Sequence, residues 1–246
     1  MASLFNKIDL LPAYRVIHDE IEKRILSGEL LPDQPLPVET VLAEQFGVAR
    51  HTVREALRSL EHSGFLRRGA GRRLFVALPL YGEVAPQISR ALAMHRVTFE
   101  ELWEVSLDLE PSAAERAARR AGPEAIERIR ANVAATREAI ENNASIARLD
   151  VQFHALVAEA TGNKVIMLAR EPIFLLGCST LGKLIEKDVN VSRRLLQAHE
   201  NVLKGIENRD PAYARDWMRK HIEDFRRGWL MTKRDEDMPV AGGELN

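Results

Sequence analysis

Two short helical stretches joined at a glycine restrict the N-terminal part of this chain to very few folds. Residues 38–45 and 50–62 both repeat apolar side chains at helical spacing, and Gly47 lies between them. Apolar residues then flank a glycine-rich turn within residues 65–76, which is typical of a small β-hairpin. Two helices with a tight turn, followed by a hairpin, are the parts of a winged helix-turn-helix. The sequence therefore predicts this fold for residues 1–78.

The remainder of the chain has helical period almost throughout. The periodic segments extend to about residue 231, with short breaks between them and no strand pattern. This pattern predicts a mainly α protein whose C-terminal domain is an all-α antiparallel helical bundle. We expect a linker and connecting helix over residues 79–95, with the linker itself at 79–86. The bundle is predicted over 96–234, followed by a disordered tail at 235–246.

Composition and charge narrow the class of partner. The 246 residues suit two domains, and the single cysteine excludes a disulfide framework. No apolar run approaches the length of a membrane span and no targeting segment is visible, so we expect a cytoplasmic protein. The net charge is −1, but residues 50–73 hold seven arginines against two acidic residues. Such a local excess of positive charge favours a polyanionic partner.

The third helical stretch predicts the surface that meets this polyanion. Its apolar positions share one face, which leaves the opposite face to polar side chains. That opposite face carries Arg50, His51, Arg54 and Arg58. The wing adds Arg67, Arg68, Arg72 and Arg73. Arginines bind base edges in the major groove and neutralise phosphates, so double-stranded DNA is the predicted partner.

One polar constellation stands out in the C-terminal half. Asp150 precedes His154 by one helical turn, and His199 and His221 lie on two later helices. All four residues lie on stripes of apolar side chains, where an unpaired polar group would be costly. Three imidazoles and a carboxylate that converge in a bundle core can bind a divalent metal ion. The alternative is three unrelated core or surface histidines, and the combined pattern favours the metal site.

Several of these segments together resemble the GntR family, in its FadR-type branch with an FCD effector domain. The DNA-binding block LPVETVLAEQFGVARHTVREALRSLEHSGFL closely resembles that of the family. Four later segments occur in the order of the family: ELWEVSLDLEP, DVQFHALVAEATGN, QAHENVLKGIENRD and MRKHI. The match covers about residues 10–230 and is most specific in the DNA-binding block.

The resemblance implies roles for individual residues. It makes Arg50, Thr52 and Arg54 contacts to the groove or to phosphates, with His51 nearby. It places Gly69 and Gly71 at the tip of the wing, where the backbone approaches DNA, beside Arg72. It matches four residues to the metal ligands of the family: Asp150, His154, His199 and His221.

The resemblance also implies how such a regulator works. Family members are usually homodimers on short palindromic operators, and most are repressors that a small organic acid releases. They bind zinc, nickel or similar ions, and the metal often helps to hold the carboxylate of the effector. We therefore expect a ligand-responsive repressor with a divalent metal cofactor and a carboxylate-containing effector.

Two residues depart from the family pattern. Thr40 stands where the family often has an arginine that helps to contact DNA, so the operator sequence or the affinity differs. Ser106, the candidate effector-binding residue, stands where an arginine usually faces the effector cavity. Either another group supplies the counter-charge to the effector, or the serine donates a hydrogen bond to a more neutral ligand.

Two other functions are compatible with the same residues. In a metal-responsive regulator, the ion itself would be the signal. A metal-dependent enzyme fused to a DNA-binding domain is the other alternative, but no general base accompanies the predicted ligands in a recognisable motif. Glu159 is on the same helix as Asp150 but points about 180° away from it. We therefore expect a protein that is not an enzyme.

Overall fold

The computed structural model describes residues 11–78, 81–185 and 189–231. Within these ranges it describes the backbone but not the side chains of residues 72, 81–83, 177–185 and 189. The chain divides into two compact units, Met1–Leu80 and Tyr81–Asn246. Residues 235–246, for which the sequence predicts a disordered tail, lie outside the described part.

The first unit is a three-helix domain with a two-stranded wing. Its helices are α1 (Ala13–Leu26), α2 (Glu39–Phe46) and α3 (Arg50–His62). The antiparallel strands are β1 (Leu66–Arg68) and β2 (Leu74–Val76), with Leu66 paired to Val76. A 3-10 turn, Ala70–Arg72, joins the two strands. The predicted winged helix-turn-helix is therefore confirmed.

The apolar face of α3 holds this unit together. Val53, Ala56 and Leu60 are fully buried and pack with α1, α2 and the wing in one core. Gly47 ends α2 in the left-handed conformation at φ +64°, which glycine adopts without steric cost. The chain can therefore turn sharply from α2 into α3, and the polar face of α3 stays exposed.

The second unit contains seven helices over its described residues. They are α4 (Tyr81–Met94), α5 (Phe99–Arg120), α6 (Pro123–Glu141), α7 (Ala147–Ala160), α8 (Lys164–Ile185), α9 (Val189–Glu207) and α10 (Pro211–Met231). Thr98 begins α5 with a reciprocal capping box to Glu101, and Pro123 occupies the first position of α6. The predicted mainly α fold with an all-α second domain is confirmed.

The start of α4 differs from the predicted linker over residues 79–86. The helix begins at Tyr81 and contains Pro86. Ala85 and Ser89 are buried, and the Ser89 hydroxyl lies 2.9 Å from the Pro172 carbonyl oxygen on α8. Packing against α8 therefore outweighs the local signal from the proline, which the sequence alone does not reveal.

The core of the second unit surrounds its polar cluster. Alanines of α5 form a small-residue face, and buried side chains of α6, α7, α9 and α10 pack on it. Small side chains allow the helices to approach closely around the middle of α7. Among the described helices, none combines the length and apolar character that a membrane-spanning segment needs.

Candidate metal centre and DNA-binding surface

The four predicted ligands converge inside the second unit. Asp150 and His154 project from α7, His199 from α9 and His221 from α10, and all four are buried. One nitrogen or oxygen of each lies within 4.8 Å of the others. The helical offset on α7 and the apolar stripes of α9 and α10 therefore bring together the residues that the sequence singled out.

The distances within this cluster fit the donor shell of one ion. The Nε2 atom of His221 lies 3.1 Å from that of His154 and 3.3 Å from that of His199. Oδ1 of Asp150 lies 3.3 Å from His199 Nε2 and 3.9 Å from His154 Nε2. Donors bound at about 2.1 Å to a tetrahedral ion are separated by roughly 3.4 Å. The spacing of the four atoms matches that of a first coordination shell.

The protonation of the cluster also suits a cation. Burial lowers the pKa of His199 to about 3, because desolvation of the imidazolium outweighs the attraction of Asp150. Burial opposes the ionisation of Asp150, but His199 and His221 outweigh it and its pKa lies below the usual value. Within the described part of the chain, no group forms a hydrogen bond of normal geometry with the buried Oδ1 of Asp150. A neutral imidazole and an ionised carboxylate are the forms that bind metals.

Sequence reasoning missed a buried ion pair behind His154. Nδ1 of His154 donates to Oε2 of Glu110 over 2.7 Å, and Nε of Arg170 donates to Oε1 over 3.0 Å. All three side chains are 1% exposed. Burial raises the pKa of Glu110, but the charge of Arg170 and the hydrogen bonds from His154 and Arg170 outweigh this effect, so the net shift is downward. Glu110 therefore holds His154 with the Nε2 lone pair toward the other ligands.

A signal for these two charged residues exists in the sequence. Glu110 lies three, four and seven residues before the buried Ala113, Ala114 and Ala117 of α5. Arg170 lies three and four residues before Ile173 and Phe174, which are half-buried. A charged residue within an apolar stripe marks a buried pair, because such a residue is otherwise exposed.

The other residues near the cluster have different places. Ser106 is half-buried, and its hydroxyl donates to the Leu102 carbonyl one turn earlier over 2.7 Å. Arg148 is exposed, as its helical position predicts. Glu159 pairs with Arg128 of α6 at 2.6 Å, with a side chain 36% exposed. It is therefore directed to an ion pair at the surface and does not complete a catalytic arrangement with the ligands.

In the first unit, the N-terminal turn of α3 is an exposed basic surface. Arg50, His51 and Arg54 are exposed and Thr52 is half-buried. Glu39 of α2 accepts a hydrogen bond from Arg54 at 2.8 Å and lies 4.0 Å from Arg50. The hydrogen bond from Arg54 lowers the pKa of Glu39, so this carboxylate stays ionised and orients the Arg54 fork.

Thr40, the residue that departs from the family pattern, is exposed on α2 next to Glu39. An exposed threonine can donate to a phosphate oxygen but carries no charge. The guanidinium group beside Thr40 therefore belongs to Arg54 of α3.

The two wing glycines, Gly69 and Gly71, are favoured at their positions for different structural reasons. Gly71 adopts φ +72° in open space, a conformation that favours glycine. Gly69 has ordinary backbone geometry, but an added Cβ would lie 2.4 Å from the Phe75 ring. Arg67 lies over the same ring, 5.3 Å from its centroid, and pairs with Asp33. The backbone of Arg72 belongs to the turn, whereas its side chain lies outside the described part.

A winged helix-turn-helix with exposed arginines, followed by a separate helical domain with a buried polar cluster, is the architecture of a transcription regulator. Residues 13–76 match the family model described as bacterial regulatory proteins, gntR family, and residues 101–224 match the FCD domain. The chain therefore belongs to the GntR family, with an FCD domain as its second unit.

Individual relatives agree with this membership. The chain is 28% identical over 222 residues to the HTH-type transcriptional repressor NanR of Cronobacter sakazakii, with 87% of this chain and 84% of that repressor covered. It is 47% identical over 74 residues to the repressor NagR of Bacillus subtilis, a match that spans 30% of each chain. A solved GntR structure from Streptococcus agalactiae superposes with a TM-score of 0.66 at 26% identity, and covers 87% of this chain and 99% of that one.

Proposed function

We propose that this GntR-family protein is a ligand-responsive repressor whose helical domain binds one divalent metal ion and a small organic acid. The observation that carries the proposal is the convergence of four buried donors, Asp150, His154, His199 and His221, at the spacing of a coordination shell. Binding of the effector beside the ion changes the affinity of the winged domain for its operator. NanR and NagR, which the chain resembles, are named as repressors.

The donor set suits zinc or nickel. Three imidazole nitrogens, which are borderline donors, form with one hard carboxylate oxygen a mixed set that suits these ions better than calcium or magnesium, which prefer all-oxygen sites. When bound, the ion supplies a Lewis acid that attracts a carboxylate. Glu110 orients His154, and buried apolar side chains of α7, α9 and α10 pack together in the same core.

DNA binding is assigned to the α3 surface and the wing. Arg50, Thr52 and Arg54 are proposed to contact base edges or phosphates, with His51 and Thr40 beside them. Gly69, Gly71 and Arg72 are proposed to bring the wing to the backbone. Two such domains in a homodimer match a palindromic operator, and binding to the chromosome places the protein in the cytoplasm.

Elemental analysis tests the metal site. The full chain, purified without added metal and then incubated with zinc or nickel, is expected to hold one ion per chain. His199→Ala is expected to lose it, whereas His95→Ala, which changes an exposed histidine of the same unit, retains it. An absence of metal in the wild type after incubation would overturn the four-ligand assignment and leave the DNA-binding domain unaffected.

Salt dependence tests the DNA surface. Arg50→Ala is expected to weaken binding to duplex DNA and to reduce the slope of log K against log salt by about 0.9 for each lost phosphate contact. Arg119→Ala removes the same charge from an exposed position of α5 and is the matched control. Equal slopes for both variants would exclude a phosphate contact at Arg50, and fluorescence anisotropy measures them.

A second candidate function is a metal-responsive regulator. Four protein donors alone complete a tetrahedral ion, so the site needs no organic ligand to close its shell. In that case operator affinity would follow the free metal concentration without any organic acid. If operator affinity is constant across a metal titration and changes only on addition of an acid, the ion is a cofactor and the first function holds.

A further inference from the structure

The effector site proposed above needs a counter-charge for a carboxylate, and Ser106 does not supply one. Its side chain is neutral, and its hydroxyl proton is directed to the Leu102 carbonyl oxygen over 2.7 Å. A protein cation that helps the proposed metal ion to neutralise an acidic ligand must therefore come from another position in the core.

Arg170 of α8 is a buried cation with one unused hydrogen-bond donor among the described residues. Its side chain is 1% exposed, yet among the described residues the buried Nη2 has no hydrogen-bond partner. Nε donates to Glu110, and Nη1 donates to Glu171 over 2.9 Å. An unpartnered N–H in a buried guanidinium is unfavourable unless an acceptor completes it.

The surroundings of Arg170 connect it to the metal centre. Glu110 binds both His154 and Arg170, so one carboxylate separates the guanidinium from a predicted metal ligand. The Phe174 ring packs against both residues: its centroid lies 4.5 Å from that of the His154 ring and 4.1 Å from Cζ of Arg170. Ser106 lies one helical turn before Glu110 on α5, on the same face. The guanidinium therefore bonds to Glu110, one helical turn from Ser106 on α5.

We propose that Arg170 is the carboxylate-binding residue of the effector site, with Nη2 donating to an oxygen of a small organic acid. This inference rests on the proposed function, because it assigns the residue that recognises the effector there. Glu171 is 23% exposed, so water already screens its interaction with Nη1. A ligand carboxylate that reaches the guanidinium can take both terminal nitrogens in the two-pronged geometry that arginine favours.

Acetate and its neutral counterpart acetamide test this assignment, because they share a shape and differ in charge. Each is titrated into the full chain, metal-loaded and metal-free, at constant ionic strength, and apparent Kd values follow from the rise in melting temperature. Wild type is expected to prefer acetate. In the metal-free protein, Arg170→Met is expected to weaken acetate binding at least tenfold while acetamide binding stays unchanged. Arg148→Met, at an exposed site of α7, is the control that retains the preference.

Arg170→Lys covers the case in which Arg170→Met fails to fold. Lysine keeps a positive charge beside Glu110 but lacks the fork, so it too is expected to lose most of the preference for acetate. Undiminished acetate preference in a folded variant, or no preference in wild type, overturns the assignment. A failure of the wild type to bind metal would instead contradict the proposed metal site, and the metal-free titrations would still decide the role of Arg170.

Discussion

The two ring nitrogens of His154 have different partners, and this difference sets the chemistry of the metal centre. Nδ1 donates to Glu110, which leaves Nε2 without a proton and directed to the other three donors. A carboxylate behind a ligating imidazole fixes its tautomer and raises its basicity. Arg170 in turn keeps Glu110 ionised. A chain of hydrogen bonds therefore extends from Arg170 on α8 through Glu110 on α5 to His154 on α7.

Replacing Glu110 tests this orientation. Glu110→Gln is expected to lower metal affinity about 10–100-fold, because the amide retains the shape but loses the charge that holds the His154 tautomer. Competition with a chromogenic chelator measures the change. Glu115→Gln, on the surface of the same helix, is the control and is expected to leave the affinity unchanged. Equal affinities for the two variants would mean that Glu110 only fills the core.

Sequence reasoning predicted the four candidate ligands but not the pair behind them. Asp150 and His154 have a helical offset that can be recognised without knowing the partner helix. Glu110 and Arg170 are 60 residues apart and meet only because α5 packs against α8. Each lies within an apolar stripe, which indicates burial, but the stripe does not reveal which residue of another helix is its partner.

At the scale of elements, α9 and α10 meet at a glycine. A Cβ built on Gly205 would lie 2.7 Å from the backbone nitrogen of Ala214 and 2.8 Å from its Cα. Backbone atoms cannot yield as the end of a flexible side chain can. The helices that carry His199 and His221 can therefore approach each other this closely only because Gly205 has no side chain.

Gly205→Ala is expected to destabilise the domain by about 1–3 kcal/mol, because the added methyl group overpacks this crossing and outweighs the gain in helix propensity. It is also expected to weaken metal binding, since it separates two ligand-bearing helices. Gly122→Ala places the same methyl group in open space and is the control. Urea unfolding of the metal-free and metal-loaded proteins measures both effects, and a stability equal to the control would show that the helices repack freely.

At the starts of α5 and α6, the sequence carries strong local signals for a helix boundary. Thr98 with Glu101 marks the start of α5, and Pro123 marks that of α6. The first turn of α4 lacks such a signal, and the helix contacts α8 about two turns later, at Ser89. The sequence therefore predicts where a helix begins or ends only when its capping residues themselves determine that end.

At the scale of the whole molecule, the proposed homodimer has a definite size and DNA geometry. Light scattering is expected to give 55.4 kDa, twice the chain mass of 27.7 kDa. Insertion of about five base pairs between operator half-sites turns one half-site to the opposite face of the duplex and should abolish tight binding, whereas about ten should restore part of it. A mass of one chain, or affinity insensitive to the insertion, would contradict a dimer on a palindrome.

The four donors come from three helices, so the proposed metal ion would be a cross-link as well as a cofactor. Asp150 and His221 enclose the whole of α8 and α9 between them, so an ion bound at both ends would tie distant parts of the folded chain together. Binding energy gained only in the folded state adds directly to its stability. The lifetime of this regulator against proteases would then follow the supply of metal, and a starved cell would lose the protein itself rather than only its response.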